Sequence, residues 1–205
     1  MLFCIMVFTS LASLGEIWEK ICLFGLAWIV LTISFQMLPK RKVKLDKSKC
    51  IVVITGCDTG FGNMAALSLS KQGFQVIATC MTTAGKSELA PHVAQIVLCD
   101  VTKADNVAQL GAAVDKLITE KQFKLWAVIN NAGIGIFGLI DCLSLDVMRR
   151  MMEVNYFGLV AVTKTMLPFL KQTPESRIIN ISSVAGLGGS ALFGESIIIS
   201  ILYYI

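Results

Sequence analysis

The sequence predicts a doubly wound parallel α/β sheet with strand order 3-2-1-4-5, preceded by an N-terminal transmembrane helix. Three observations carry this. From residue 50 to about 190, short β-branched apolar runs alternate with stretches of helical period. The first of those runs stops at three glycines spaced G-x-x-x-G-x-G: Gly56, Gly60 and Gly62. Ahead of the alternation, residues 21–38 carry no charged side chain.

In chain order, residues 1–14 are free of charge, and residues 15–20 are a polar break holding Glu16, Glu19 and Lys20. As a helix, residues 21–38 span about 27 Å, enough for a bilayer core. Pro39 ends the segment, and Lys40, Arg41, Lys42, Lys44, Lys47 and Lys49 follow against Asp46 alone. The positive-inside rule places that basic linker, 39–49, and the domain after it in the cytosol. The first apolar stretch is short for a span; it is either a second, hairpin-like membrane element or an interfacial one. No basic residue precedes it, which argues against a cleaved signal peptide.

Strands are predicted at 50–55, 74–79, 95–98, 125–129 and 177–181. Helices are predicted at 63–72, near 85–90, at 103–120, and as one long helix over 145–170. Right-handed crossovers set the strand order and open a crevice above the first strand. At the glycine loop, Gly56 permits a tight turn, Gly60 lets a ligand approach the backbone, and Gly62 lets the helix pack close. The N–H groups of the new helix then favour a phosphate. The alternative is an ordinary strand–turn–helix corner. Asp100 follows the third strand, Asn130-Asn131-Ala132-Gly133 ends the fourth, and Ser182-Ser183 ends the fifth. Each alone is ordinary turn chemistry; together they share the carboxyl edge of one sheet, where open α/β folds bind ligands.

Composition removes other classes. A net charge of +4 over 205 residues is too small to suggest nucleic acid. The seven cysteines form no C-x-x-C pair and there is a single histidine, so no metal site is expected. The cysteines read as reduced apolar residues. His92, after Pro91, reads as a solvated loop residue.

The series Thr55-Gly56-x-x-x-Gly60-x-Gly62, Asp100-Val101, Asn130-Asn131-Ala132-Gly133, Asn155 and Ser182-Ser183 resembles the short-chain dehydrogenase/reductase family over about residues 48–190. The form Thr55-Gly56-Cys57-Asp58-Thr59-Gly60-Phe61-Gly62 is similar to the branch of retinol, hydroxysteroid and membrane-bound 3-hydroxybutyrate dehydrogenases. The resemblance implies a Rossmann-type domain at 50–194 with the loop 55–62 on a dinucleotide. It also implies that Asp100 and Val101 flank the adenine and that Asn131, Ala132 and Gly133 support the nucleotide. Asn155 would order a water in a proton relay, and Ser183 would hydrogen-bond the substrate oxygen. A lipophilic alcohol or ketone as substrate, an endoplasmic reticulum membrane and a homo-oligomer of the full-length form belong to the same expectation. The second strand ends Thr79-Cys80-Met81-Thr82, with neither acid nor base, and the loop carries Asp58. NAD is therefore expected over NADP, whose 2′-phosphate a carboxylate repels.

The resemblance stops at the family's Tyr-x-x-x-Lys, where Ser196 and Ser200 stand. A tyrosine acidified by lysine is the proton partner that hydride chemistry needs, and serine lacks that acidity. Tyr203 and Tyr204 have no lysine after them. The sequence thus reads as a truncated or alternatively ended family member, later strands missing, with an aberrant apolar tail at 195–205. A divergent but genuine member is the alternative. Two functions follow: a membrane-anchored NAD(P)-dependent oxidoreductase by family, or an inactive product keeping the anchor and part of the nucleotide site.

Overall fold

In a computed structural model of the chain, the described residues are 20, 22–28, 30, 31, 34, 45–136, 138 and 142–183. The chain divides into two compact units, Met1–Lys44 and Leu45–Ile205. In the first, the described residues between 20 and 34 are helical, and Leu23, Phe24, Leu26, Trp28, Val30 and Leu31 are exposed. Among the described residues no helix is long and apolar enough to cross a membrane. The expected span 21–38 lies only partly within them. Residues 1–19, the first part of the basic linker and the expected tail 195–205 lie outside them.

The second unit is the expected sheet. Strands β1 (Cys50–Ile54), β2 (Gln75–Cys80), β3 (Gln95–Leu98), β4 (Lys124–Asn130) and β5 (Arg177–Asn180) pair in parallel in the order β3-β2-β1-β4-β5. The helices are α1 (Gly60–Lys71), α2 (Thr83–Leu89), α3 (Ala104–Lys121), α4 (Leu145–Met152) and α5 (Leu159–Leu170). The stretch read as one helix, 145–170, is broken by a π-helical turn at Glu153–Gly158 between α4 and α5.

Every residue of β1 is buried, because helices cover both faces of its sheet. Ile51 and Val53 pack with Ile77, Leu110, Val114 and Met166 on the α3/α5 face. Cys50, Val52 and Ile54 pack with Ala66, Val76 and Leu89 on the α1/α2 face. In β4 this alternation is interrupted: Ile51 pairs with Leu125 but Val52 with Ala127, so Trp126 is the extra residue of a β-bulge. Trp126 therefore turns to the α1/α2 side and stacks on Phe74 at 5.4 Å. β5 is the edge strand of the described sheet, and all four of its residues are exposed.

Candidate functional site

The crevice lies where β1 meets β4, and its floor is a reciprocal clasp between residues 76 apart. Thr55, at the end of β1, is 2% exposed. Its Oγ1 accepts from the backbone N–H groups of Asn131 and Ala132, both at 3.0 Å. Asn131 returns the contact, its Nδ2 donating to the carbonyls of Thr55 and Gly56 at 2.9 Å each. The Thr-Gly and Asn-Ala-Gly motifs are thus two halves of one joint. Gly56 sits at φ +69°, and a Cβ on it would fall 2.8 Å from the Ala132 Cα. A Cβ on Gly62 would collide with the Gly56 carbonyl and the Asn131 amide. Only glycine at 62 lets α1 start this close to the clasp.

The loop is fastened to β2 as well. Gly56 N–H donates to Thr79 Oγ1 at 3.2 Å and Cys57 N–H to the Thr79 carbonyl at 2.7 Å. Asp58 reaches across the same gap. Its Oδ2 accepts from Met81 N–H at 2.8 Å, and its Oδ1 accepts from Thr82 N–H at 2.9 Å and Thr82 Oγ–H at 2.7 Å. Burial pushes this carboxyl up, but those hydrogen bonds outweigh it and hold the pKa below the ordinary 3.8. A carboxylate therefore stands at the end of β2, although the strand's own residues supply none. Asp100 behaves alike: burial opposes its ionisation, while Thr102, Lys103 and Arg150 favour it more strongly and lower its pKa. Its Oδ1 accepts from Thr102 N–H and Oγ–H, an Asx turn leading into α3.

These elements enclose a cavity of about 870 Å³. Of the expected nucleotide residues, Gly56, Asp58, Thr59, Asp100, Val101, Asn131, Ala132 and Gly133 line it. Thr55 and Gly62 build the wall from behind. Phe61 is 78% exposed on the first turn of α1, outside the cavity lining. Gly60, at φ +63°, has open space where a Cβ would point. Asn155 and Ser183 are not among the lining residues. Asn155 lies in the π-turn, and its amide brackets one residue: Oδ1 accepts from Ile134 N–H and Nδ2 donates to the Ile134 carbonyl, each at 2.8 Å. Ser183, beyond β5, is exposed. Ser196 and Ser200 lie outside the described residues.

The sequence reading missed Met81, Cys99, Thr102, Lys103, Ile134, Arg150, Glu153 and Val154, which also line the cavity. The signal for the last three was present: they stand at i, i+3 and i+4, one face of a helix. Among the described residues no group of histidines, cysteines and carboxylates is placed to hold a metal.

The cavity carries features that suit a dinucleotide. The cavity is large, and its floor is kept low by residues that tolerate no Cβ. The N-cap of α1, Thr59, makes no side-chain capping bond, so the first N–H groups of that helix are left to an anion. These are the features of a dinucleotide-binding α/β unit.

The comparisons agree. The family model for short chain dehydrogenase matches residues 50–194. Dehydrogenase/reductase SDR family member 9 of Homo sapiens is 41% identical over 169 residues, covering 80% of this chain and 52% of the relative. Retinol dehydrogenase 5 of Mus musculus is 37% identical over 173 residues, 82% of this chain and 52% of the relative. The 17-beta-hydroxysteroid dehydrogenase type 6 of Bos taurus is 37% identical over 159 residues, 76% and 49%. Among solved structures, ligand-free aldohexose dehydrogenase of Thermoplasma acidophilum superposes with a TM-score of 0.64 at 26% identity, covering 76% of this chain and 57% of that one. ElxO with NADP bound gives 0.66 at 25%, covering 76% and 64%. The chain belongs to the short-chain dehydrogenase family, and its relatives include retinol and hydroxysteroid dehydrogenases. It spans about half the length of the relatives it matches.

Proposed function

We propose that the Rossmann-type unit binds NAD in the crevice, and that the family form of this protein is a membrane-anchored oxidoreductase of a lipophilic alcohol or ketone. The observation that carries the nucleotide reading is the Asp58 carboxylate at the end of β2. There it would face the adenine ribose of a bound nucleotide, accepting from a 2′-hydroxyl and repelling a 2′-phosphate. The NADP held by ElxO supports the dinucleotide class; the choice of NAD rests on Asp58. When bound, the nicotinamide exchanges a hydride with the substrate carbon.

The chain's own residues do the rest. Thr55 and Asn131 hold the floor, α1 would offer its first N–H groups to a pyrophosphate, and Asn155 fixes the backbone at Ile134. Ser183 is the proposed donor to the substrate oxygen. The names of the relatives, retinol and hydroxysteroid dehydrogenases, support a lipophilic substrate. The charge-free run 21–38 and the basic linker support a membrane anchor with the domain in the cytosol; the endoplasmic reticulum is proposed on the family resemblance alone.

A second reading is favoured by Ser196 and Ser200 at the family's Tyr and Lys positions. The chain as written then binds nucleotide but moves no proton to or from an alcohol. Calorimetric titration with NAD and NADP, followed by assay against retinol and a hydroxysteroid, tests both parts. NAD is expected to bind at least about tenfold more tightly than NADP at physiological salt. Equal or tighter NADP binding refutes the cofactor choice. Turnover well above a Ser183→Ala control refutes the inactive reading.

A further inference from the structure

In a parallel α/β unit each helix runs back against its strands, so helix C-termini gather at the edge opposite the crevice. At this edge the chain concentrates cations. Lys71 and Lys121 are the last residues of α1 and α3, and Lys171 caps the end of α5. Lys124 and Arg177 begin β4 and β5, and Lys47 and Lys49 flank the short turn that enters β1. All are exposed. Against them stand Asp46, Glu120 and Glu175, while Lys86 and Glu88 at the end of α2 cancel. Among the described residues no ion pair ties Lys71, Lys121, Lys124 or Lys171 to a carboxylate.

Complementing helix dipoles explains the three helix-end lysines. It does not explain Lys124, Arg177, Lys47 and Lys49, which start strands or precede them. Arg177 and Lys47 lie over the Trp126 and Phe74 rings at 5.1 and 5.4 Å, which holds their charges at the edge. A hollow of about 210 Å³ opens between the ends of α3 and α5, lined by Phe123, Phe169 and Lys124.

We propose that this amino-terminal edge is a docking face for the anionic surface of a lipid bilayer. Charge complementarity supports it, and so does the sequence: the basic run from Lys40 continues into the edge at Lys47 and Lys49. The hollow sets Gln122, Gln172, Thr173 and the Lys124 cation among the Phe123 and Phe169 walls, a mixed lining that suits a lipid headgroup. Single-stranded nucleic acid is disfavoured, because Phe123, Trp126 and Phe169 are half-buried and offer no exposed stacking platform. Docked this way, the crevice opens on the aqueous side, where a soluble dinucleotide arrives. The proposal rests on the anchor reading only in taking a bilayer as the surface at hand.

The test uses the full chain with vesicles of phosphatidylcholine alone and of phosphatidylcholine mixed with phosphatidylserine. Lysine acylation is followed residue by residue by mass spectrometry. Each cation near an anionic surface strengthens attachment roughly fivefold. Lys71, Lys121, Lys124 and Lys171 are expected to label at least about fivefold more slowly on the anionic vesicles. Lys103, at the crevice, is expected to label equally on both, and high salt should abolish the difference. In a K121E/K124E/K171E chain, Lys71 should lose its protection; these side chains are exposed, and the single K124E change serves if the triple change misfolds. Equal labelling of the edge on both vesicles, equal slowing at Lys103, or protection by added RNA but not by anionic vesicles overturns the proposal. Washing the chain off neutral vesicles at alkaline pH refutes the anchor reading alone, because docking is read from the edge lysines with vesicles simply added.

Discussion

Changing Asp58 to Asn removes one charge from the end of β2 while keeping the shape of the side chain. The amide oxygen still accepts from Thr82 N–H and Oγ–H, and only the Met81 N–H loses its acceptor. That partly exposed bond costs about 1 kcal/mol of stability. The larger effect is on a nucleotide carrying a 2′-phosphate. At a separation of about 5 Å and an effective dielectric of about 40, a phosphate of charge about −1.5 is repelled by the carboxylate by about 2.5 kcal/mol. That is a factor of about sixty in binding. Screening at about 0.15 M salt reduces it to about tenfold, and at about 1 M salt to about twofold. D58N is therefore expected to gain NADP affinity tenfold to sixtyfold, on the order given by those two limits. NAD should lose less than about fivefold, the worth of one hydrogen bond to the ribose. Calorimetric titration of both nucleotides at two salt concentrations measures this, with circular dichroism as the check on folding. Two results refute the reasoning: NADP affinity unchanged in a folded D58N chain, or a gain that persists undiminished at high salt.

Gly62→Ala drives a methyl group into the Gly56 carbonyl and the Asn131 amide, both fixed by the Thr55 clasp; a loss of about 1–3 kcal/mol in urea unfolding is expected, and a neutral result would mean the clasp yields freely. Asp58 and Asp100 both have lowered pKa values in the fold, so the stability they contribute is complete above 3.8 and is lost as the pH falls through that value toward the folded ones. Urea midpoints should drop on acidification through this window, and D58N and D100N should each flatten the drop; an unchanged slope in both would remove these carboxylates as its source.

The sheet was legible because its signals are local. β1 is a five-residue apolar run followed by Thr55-Gly56, and burial on both faces follows from that pattern. What escaped depends on contacts between distant residues. Trp126 sits in an apolar run that reads as regular strand; its bulge is set by pairing with β1, which the run itself does not encode. The π-turn inside the long helix gave no warning either. Its purpose is spatial: it brings Gly158 against Val101, where a Cβ would lie 2.6 Å from the Cγ2 atom. Pro168, the residue that sequence rules treat as a helix breaker, stays inside α5. Asp58 was legible as the charged residue of the glycine loop. The clasp on Met81 and Thr82 was not, because nothing local in a glycine loop says which strand end its side chain will reach.

The joint between β1 and β4 explains why the crevice, and not some other strand end, is the candidate site. Helix α1 leaves β1 for one face of the sheet, while α3 reaches β4 from the other. The backbones above these two strands therefore diverge and open a gap. A gap between strand ends exposes polar backbone groups that must be paired. Thr55 Oγ1 takes two of those N–H groups and the Asn131 amide takes two carbonyls, so the gap is held open without being filled. Larger side chains in place of Thr55, Gly56, Gly62 and Asn131 would plug the cavity or leave its floor unpaired. That requirement is met before any ligand is considered. Asp58 is different: its carboxylate stands in the lining of the cavity and ties the loop to the end of β2, outside the Thr55–Asn131 clasp. On the proposed reading, the clasp belongs to the architecture that any such nucleotide needs, and Asp58 to the choice among them. Substitutions in the clasp should cost stability and both nucleotides together, whereas D58N should separate the two.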